Sequence, residues 1–462
     1  ATPVGAQKLR SNRSVVMESS SDTRRSAEDG PEPSPSASDH CEAPATKSSS
    51  PQGDRRASRR SAGTGTFDSF RSPGFRLLWL SILCWVAAGA MQTVVRGYLA
   101  YDLTGSAKVL AIIVATQVVP VLGLALIGGA VADRMDRRRL MQTCLLVTMS
   151  TTLFVAVSIS TDTVTWYHLL VAAAIHGSVW AFLSPARQGL IAELVGREGL
   201  GNAIALTGAG LSMVALIGPA LGGLLYAIMS PEGVSYLSAG LALVGVVLVG
   251  PIPKTVEGPR EQRSNVVEEI KSGLSYVRGH SQILVLVSIV LVTMILLHPY
   301  VFLMPVLVTE VFLRESTAYG ILLSMLGLGS FLGSLAAAWL GKWRRGMLLM
   351  AGNIAAGAAL IVVAFVPLYY VALVITAIVG LSEAGRRALS QALIMEQVDD
   401  EYQGRVISLY TMSFGLMPLG ILPAGFAVDR FGIERTIGVL GAAMLAVSVL
   451  VLLTQKRLRQ TQ

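Results

Sequence analysis

A few ionisable side chains lie inside long apolar stretches of this sequence, where a charge is costly to bury. His176 and His298 each stand near the middle of such a stretch, and Glu383 precedes two consecutive arginines in another. Ionisable groups in an apolar segment are functional candidates by default. A histidine can carry a proton near neutral pH, and a carboxylate can take one up and release it. These residues therefore point to the movement of protons in an apolar environment.

Each of these residues also has a structural interpretation. A neutral histidine bonded to a neighbouring helix accounts for His176 and for His298, and an ion pair along one helix accounts for Glu383. Arg96 lies near the end of its apolar stretch, where it either extends to an interface or faces a cavity. Gln92, one turn earlier, binds either a substrate or another helix. The sequence leaves these alternatives open.

The composition excludes most other classes of protein. Of 462 residues, 52% are hydrophobic and only 14% are charged, whereas a soluble domain carries about 25% charge. The net charge of +8 does not indicate a nucleic-acid partner, because no basic stripe with interleaved aromatic residues occurs. The three cysteines form no CxxC pair, and no glycine-rich phosphate loop is found. We therefore expect a lipid bilayer as surroundings, no cofactor, no metal and no enzymatic activity.

From residue 75 onward, apolar segments recur that are long enough to cross a bilayer, for which about 20 residues are needed. We number the predicted segments as spans 1 to 12. They cover residues 77–99, 108–132, 139–160, 165–186, 202–229, 234–252, 282–308, 317–341, 346–367, 369–392, 404–427 and 434–454. The chain is thus predicted to be an all-α membrane protein of twelve transmembrane helices.

A polar segment divides the spans into two groups of six. We predict a disordered cytoplasmic tail at 1–73, a six-helix bundle at 74–252, a cytoplasmic linker with a short amphipathic helix at 253–281, a second bundle at 282–454 and a C-terminal tail at 455–462. Loops on one side carry 20 Lys and Arg residues, against 4 on the other. This bias predicts that the basic side and both termini are cytoplasmic. We expect a monomer in the plasma (inner) membrane.

Two parts of the sequence repeat one another. Arg187 lies 32 residues before Pro219, and Arg386 lies 32 residues before Pro418. In both places a basic residue ends one span, an acidic turn follows and a Gly- and Pro-rich span returns. Two polar loops can look alike by chance, but the division into six and six is typical of transporters whose halves rock around a site at the midplane. The sequence therefore predicts two pseudo-symmetric bundles.

The loop after span 2 reads GAVADRMDRRR over residues 129–139. It resembles the GxxxDRxGRR signature of the major facilitator superfamily, with Asp136 where glycine is usual. The ADRxDRRR form resembles the branch that includes the enterobactin exporter and the macrolide-efflux-like proteins, and the resemblance covers about 75–454. It implies the major facilitator fold and a gating loop whose aspartate latches the halves in the outward-facing state, while the arginines also serve as a topology signal. The gating residues that it implies are Gly129, Asp133, Arg134, Arg138 and Arg139.

Span 5 carries Gly218, Pro219, Gly222 and Gly223. A proline kinks a helix, and glycines let another helix approach closely, so this segment can be simply a tightly packed, kinked helix. It also resembles in part the antiporter motif of the superfamily, with Val214 in place of one expected glycine. That resemblance favours export.

Together, these patterns predict a secondary transporter that works by alternating access. We expect proton-coupled efflux of a small amphipathic molecule, drug-like or siderophore-like, through a cavity lined by spans 1, 4, 7 and 10 as in the superfamily. The alternatives are an importer or facilitator of a small metabolite on the same fold, and a non-transporting membrane anchor or sensor. The candidate residues for coupling or substrate contact are Gln92, Arg96, His176, His298 and Glu383.

Overall fold

A computed structural model describes residues 67–253, 266–340 and 345–454, most of which are helical. Residues 1–66 of the tail predicted at 1–73, the predicted tail at 455–462 and residues 254–265 of the predicted linker lie outside the described residues. The last part of the tail predicted at 1–73 contains a 3-10 turn at Asp68–Arg71. Spans 1 to 12 keep their numbers here and take the bounds of the observed helices.

The first half begins with a well-capped helix. The Ser72 side chain accepts a hydrogen bond from the backbone N–H of Phe75, and Pro73 occupies the first turn, where its missing N–H costs nothing. The helix ends at Thr104 and is followed by Gly105, whose φ of 57° suits a residue without a side chain. The helices of this half are Pro73–Thr104 (span 1), Ala107–Arg134 (span 2), Arg137–Ser160 (span 3), Trp166–Gly196 (span 4) and Glu198–Val249 (spans 5 and 6).

The last of these helices contains two crossings. It has 52 residues, more than twice the length of about 20 residues that one crossing requires. Its backbone leaves the helical conformation at Ser230, where φ is 61°. The next residue is Pro231, and a residue that precedes proline is disfavoured in the α conformation. The chain therefore turns back at Ser230 and crosses again.

The second half follows a short helix of the linker. In span 11, a 3-10 turn at Ser413–Leu416 interrupts the helix just before Pro418. The described part of the chain has eleven helices long and apolar enough to cross a membrane, and the doubled one makes them consistent with twelve crossings. The helices are Val266–Gly279 (linker), Ser281–Val311 (span 7), Ser316–Leu340 (span 8), Arg345–Phe365 (span 9), Tyr369–Gln397 (span 10), Asp400–Met412 with Pro418–Phe431 (span 11) and Ile433–Thr454 (span 12).

The two halves repeat the same close helix contact. A Cβ atom on Gly128 in span 2 would clash with the carbonyl oxygen of Ala181 in span 4. One on Gly329 in span 8 would clash in the same way with Ala377 in span 10. Small residues at such contacts let backbones approach, which matters in lipid because burial of apolar surface does not drive helices together there. The fold is thus an all-α membrane protein of two pseudo-symmetric bundles.

The surface of the bundles is apolar. Large side chains such as Val247, Phe365 and Leu450 are at least 60% exposed, which is the surface expected of helices that face lipid. The helix ends form two faces. We call the face with the loops at 135–136 and 398–399 the basic end, and the face with the loops at 105–106 and 312–315 the opposite end.

Candidate functional site

A cavity of about 920 Å³ lies between the two halves. The described residues that line it come from spans 1 to 5 of the first half and from spans 8 and 10 of the second. The prediction that spans 1, 4 and 10 line the cavity is confirmed, but the prediction for span 7 is wrong for this conformation. Spans 5 and 8, which cross between the halves, occupy that wall, with Pro219, Leu323 and Gly327 facing the cavity.

Small residues close the cavity where spans 5 and 8 cross, towards the opposite end. A Cβ atom on Gly223 would lie 3.0 Å from the Cα of Gly320, and one on Gly320 would clash with the carbonyl oxygen of Pro219. The backbone N–H of Ala220, next to Pro219, donates to the Ser324 hydroxyl oxygen at 2.9 Å. The two halves are therefore in direct backbone contact at this crossing.

Polar contacts between the halves complete the closure of the opposite end. The Asp429 carboxylate of span 11 accepts a hydrogen bond from the backbone N–H of Ala107 at 2.8 Å and another from the Ser106 hydroxyl. Asp429 thus caps the N-terminus of span 2 from the other half, where the helix dipole favours a negative charge. Tyr101 also donates to Glu310, which joins span 1 to the end of span 7.

The residues around this cap repeat the gating signature. Residues 425–432 read GFAVDRFG, and residues 129–136 read GAVADRMD, so glycine, aspartate and arginine recur at the same spacing. Gly425 packs so closely on span 2 that its Cβ atom would clash with Ala111. Sequence reasoning missed Asp429, although the shared GxxxDR spacing was a signal that could have found it.

At the basic end, the predicted gating loop makes contacts within the first half. Asp136 accepts from the N–H of Arg138 at 3.0 Å and caps span 3, which gives the unusual aspartate a structural role. Arg137 lies 3.7 Å from Asp133 and forms an ion pair with Glu193 of span 4. Sequence reasoning left Arg137 out of the gating set, although it is the arginine that joins span 3 to span 4.

The other predicted gating residues surround this ion pair. Arg134 is exposed and Arg138 half-buried, and Arg139 lies 3.9 Å from Asp136. Gly129 stands next to Gly128, which makes the close contact with span 4. In the second half, Arg345 of span 9 pairs with Glu396 of span 10 in the manner of Arg137 and Glu193.

The four residues of the antiporter-like segment face two different neighbours. Cβ atoms on Gly218 and Gly222 would lie 2.8 Å from the Cβ of Ala90 and 3.0 Å from the Cα of Met91, so both glycines pack against span 1. Gly223 and Pro219 pack against span 8. The segment therefore holds span 5 against its own half on one side and against the other half on the second side.

Three of the predicted polar residues meet in the cavity wall. Arg96, only 8% exposed, donates through Nη1 to His176 Nδ1 at 2.9 Å and through Nε to the carbonyl oxygen of Gln92 at 3.3 Å. The Gln92 side chain donates to Ser235 of span 6 at 3.2 Å. A guanidinium group only donates, so Nδ1 of His176 accepts and the neutral ring carries its proton on Nε2. Arg96 therefore faces the cavity rather than extending to an interface.

Glu383 forms a buried ion pair along span 10. Both of its carboxylate oxygens accept from Arg386 Nη2, at 2.7 and 2.8 Å, and Arg387 lies farther away at 3.5 Å. Arg386 is buried, whereas Arg387 lines the cavity with about half of its side chain exposed. His298 does not line the cavity, and its buried Nδ1 has no hydrogen-bond partner among the described residues.

Comparisons with known proteins agree with this architecture. The model of the Major Facilitator Superfamily matches residues 77–421. The staphyloferrin A transporter of Staphylococcus aureus is 25% identical over 350 residues, which are 74% of this chain and 86% of that protein. The macrolide efflux protein A of Streptococcus pyogenes is 24% identical over 374 residues, which are 79% of this chain and 91% of that protein.

A solved structure shows the same fold. The inward-facing, unoccupied structure of a bacterial homologue of the human lysosomal transporter Spinster aligns with a TM-score of 0.64 at 13% identity. The alignment covers 85% of this chain and 97% of that one.

Proposed function

Since this chain belongs to the major facilitator superfamily, we propose that it exports a small amphipathic molecule by alternating access and is driven by the proton gradient. The observation that carries the proposal is the cavity between the halves, which extends towards the basic end and is closed at the opposite end. A site reached from one side at a time is what alternating access requires. Efflux is supported by the likeness to the macrolide efflux protein A.

The basic end is the cytoplasmic one in this proposal, because its loops carry most of the Lys and Arg. The structure then corresponds to the inward-facing state, in which a substrate enters from the cytoplasm. We propose that the chain works as a monomer in the plasma membrane, with both termini cytoplasmic. The bundles at 74–252 and 282–454 are the parts that rock, and Asp133 latches them when the basic end closes.

Proton coupling is proposed to act through two hydrogen-bonded pairs. Protonation of His176 at Nδ1 would remove the acceptor of Arg96 and place two positive charges side by side, which would separate spans 1 and 4. Protonation of Glu383 would remove the counter-charge of Arg386. Either event changes the contacts of the cavity wall, so the uptake of a proton and the shape of the site are linked.

Expression in a pump-deficient bacterium, with a panel of amphipathic compounds, tests the proposal. We expect the chain to lower the accumulation of at least one compound and a protonophore to abolish the effect. Unchanged accumulation of every compound would refute the proposed efflux function. Uptake into vesicles without a pH gradient would instead identify a facilitator, and activity that depends on residues 1–70 but not on transport would identify a sensor.

A further inference from the structure

We propose that the exported molecule is an amphipathic anion, whose carboxylate or phosphate group is held between Arg187 and Arg387 while its apolar ring rests on Trp85 and Trp180. This inference rests on the proposed transport function and assigns the chemical class of the substrate. The four side chains line the same cavity.

The charges of the cavity wall favour an anion. Arg96, Arg187 and Arg387 line the cavity, and no Asp or Glu is among the described residues that do so. Charges interact more strongly in a site shielded from water than in bulk solvent. A cationic substrate would therefore be repelled along the whole path between the cavity mouth and Arg96, whereas an anion would be attracted.

Arg187 has no polar partner among the described residues and is available to a ligand. It is half-buried in span 4, and no described residue forms an ion pair or a hydrogen bond with it. Other arginines at this end do have carboxylate partners, as Arg137 has Glu193 and Arg345 has Glu396. A guanidinium group binds carboxylates and phosphates through paired hydrogen bonds, so an oxyanion would supply the missing partner.

Arg187 belongs to the helix of span 4, and its side chain faces the cavity. Span 4 has 31 residues, more than the about 20 that one crossing needs. Arg187 therefore lies towards the basic end of the crossing, where it also contributes to the positive-inside signal. An arginine that lines a cavity at this place can also bind a ligand that enters from the basic end.

Arg387 approaches the same space from the second half. Its nearest carboxylate, Glu383, lies 3.5 Å away and is already bound by Arg386 through both oxygens. About half of the Arg387 side chain remains exposed. A ligand held by Arg187 and Arg387 would bridge the two halves, as a transported molecule must if its binding is to affect their movement.

An aromatic surface for the apolar part of the ligand lies deeper in the cavity. The ring centroids of Trp85 and Trp180 are 5.2 Å apart. Both residues line the cavity, and Trp180 is 45% exposed. Trp180 precedes Arg187 by seven residues, which places both on one face of span 4 about 10 Å apart. The expected ligand therefore has its ring and its acidic group separated by up to about 10 Å.

Binding to the purified full-length protein in nanodiscs tests the inference. The probes share one ring and differ in charge: 2-naphthoate and 2-naphthyl phosphate are anions, 2-naphthamide is neutral and 2-naphthylmethylammonium is a cation. Quenching of tryptophan fluorescence reports binding. We expect at least one anion to bind about tenfold more tightly than the cation, and the better of the two anions identifies the acidic group.

The variants Arg187→Gln and Arg387→Gln locate the site. Each variant should weaken binding of the anion about tenfold, as expected for a lost charge-assisted hydrogen bond, and change binding of the amide by less than about twofold. Arg76→Gln is the control, because Arg76 is an exposed arginine near the basic end of span 1 and does not line the cavity. Thermal unfolding of each variant verifies that it is folded.

Two results would overturn the inference: equal or tighter binding of the cation, or equal losses for the anion and the amide in both arginine variants. These results are separable from the fate of the proposed function. Efflux of cationic compounds from cells would support the proposed transport function and refute the assignment of an anionic substrate. Tight anion binding without transport of any compound would support the anion site and refute the transport function.

Discussion

Replacing Asp429 by alanine should open the opposite end of the protein. In the structure, this carboxylate accepts hydrogen bonds from Ser106 and from the backbone N–H of Ala107, across the interface between the halves. The N–H of Ala107 belongs to the first turn of span 2, where it has no partner within its own helix. Loss of the Asp429 carboxylate affects only the state in which the opposite end is closed, because the cap exists only when spans 2 and 11 are in contact.

The size of the effect follows from the geometry of a helix cap. Removing a capping side chain costs about 0.5–2 kcal/mol, and the interaction of its charge with the helix dipole accounts for about 0.3–1 kcal/mol where the group is exposed, as Asp429 is. Because the charge interaction is part of the capping cost, we expect a loss of about 1–2 kcal/mol in all, which changes an equilibrium by a factor of about 5–30. Asp429→Asn should have a smaller effect, since asparagine is also a good cap but carries no charge.

Cysteine labelling can measure this shift. Ser316 is only 2% exposed and lies between the halves, with its hydroxyl donating to the carbonyl oxygen of Gly223. In a background without Cys41, Cys84 and Cys144, Ser316→Cys provides a single thiol that an impermeant maleimide reaches only when the opposite end opens. Adding Asp429→Ala should raise the labelling rate about 5–30-fold while the open state remains a minor one.

The neighbouring arginine provides a matched control. Arg430 is exposed at the same helix end and stacks on Phe431, so Arg430→Gln should change labelling by less than about twofold. An unchanged or slower labelling rate in Asp429→Ala would refute the reasoning. Equal increases in the two variants would also refute it, since the effect would then come from general loosening of the loop.

Three further predictions concern the same equilibrium and its coupling. Gly320→Val should also raise labelling of Ser316→Cys by an order of magnitude or more, because its side chain would collide with span 5. Asp133→Asn should lower that labelling several-fold, because it weakens the proposed latch of the outward-facing state; faster labelling would contradict that role. His176→Ala and Glu383→Gln should abolish protonophore-sensitive efflux at unchanged amounts of protein in the membrane, and retained efflux in both would exclude them as coupling residues.

The fold could be predicted from the sequence because the bilayer sets strong local rules. Every crossing needs about 20 apolar residues, and charge in the loops follows the positive-inside rule. The bend at Ser230 inside one long helix could be placed because Pro231 and the polar residues around it interrupt an apolar run. The loop after span 2 identified the superfamily because its residues are contiguous.

The partners within the site could not be predicted, because they depend on how helices rotate against one another. Three arginines follow Asp136, and no local rule selects Arg137 as the one that binds Glu193. The pairing of Arg96 with His176 joins residues 80 positions apart. Span 7 is absent from the described cavity wall in this conformation, and the conformation is stabilised by contacts between residues distant in sequence, such as Asp429 with span 2 and Tyr101 with Glu310.

The glycine contacts that hold each half together are made by residues other than those that line the cavity. Gly128 against Ala181 and Gly329 against Ala377 leave no space for helices of one bundle to slide, so each bundle is expected to keep its internal distances throughout the cycle. Side chains of the cavity wall, including Trp180 and Arg187, can then be exchanged without disturbing these contacts. Substitutions in the cavity wall alone can therefore change which substrate is bound, while the helix contacts that keep each bundle rigid during its movement stay the same.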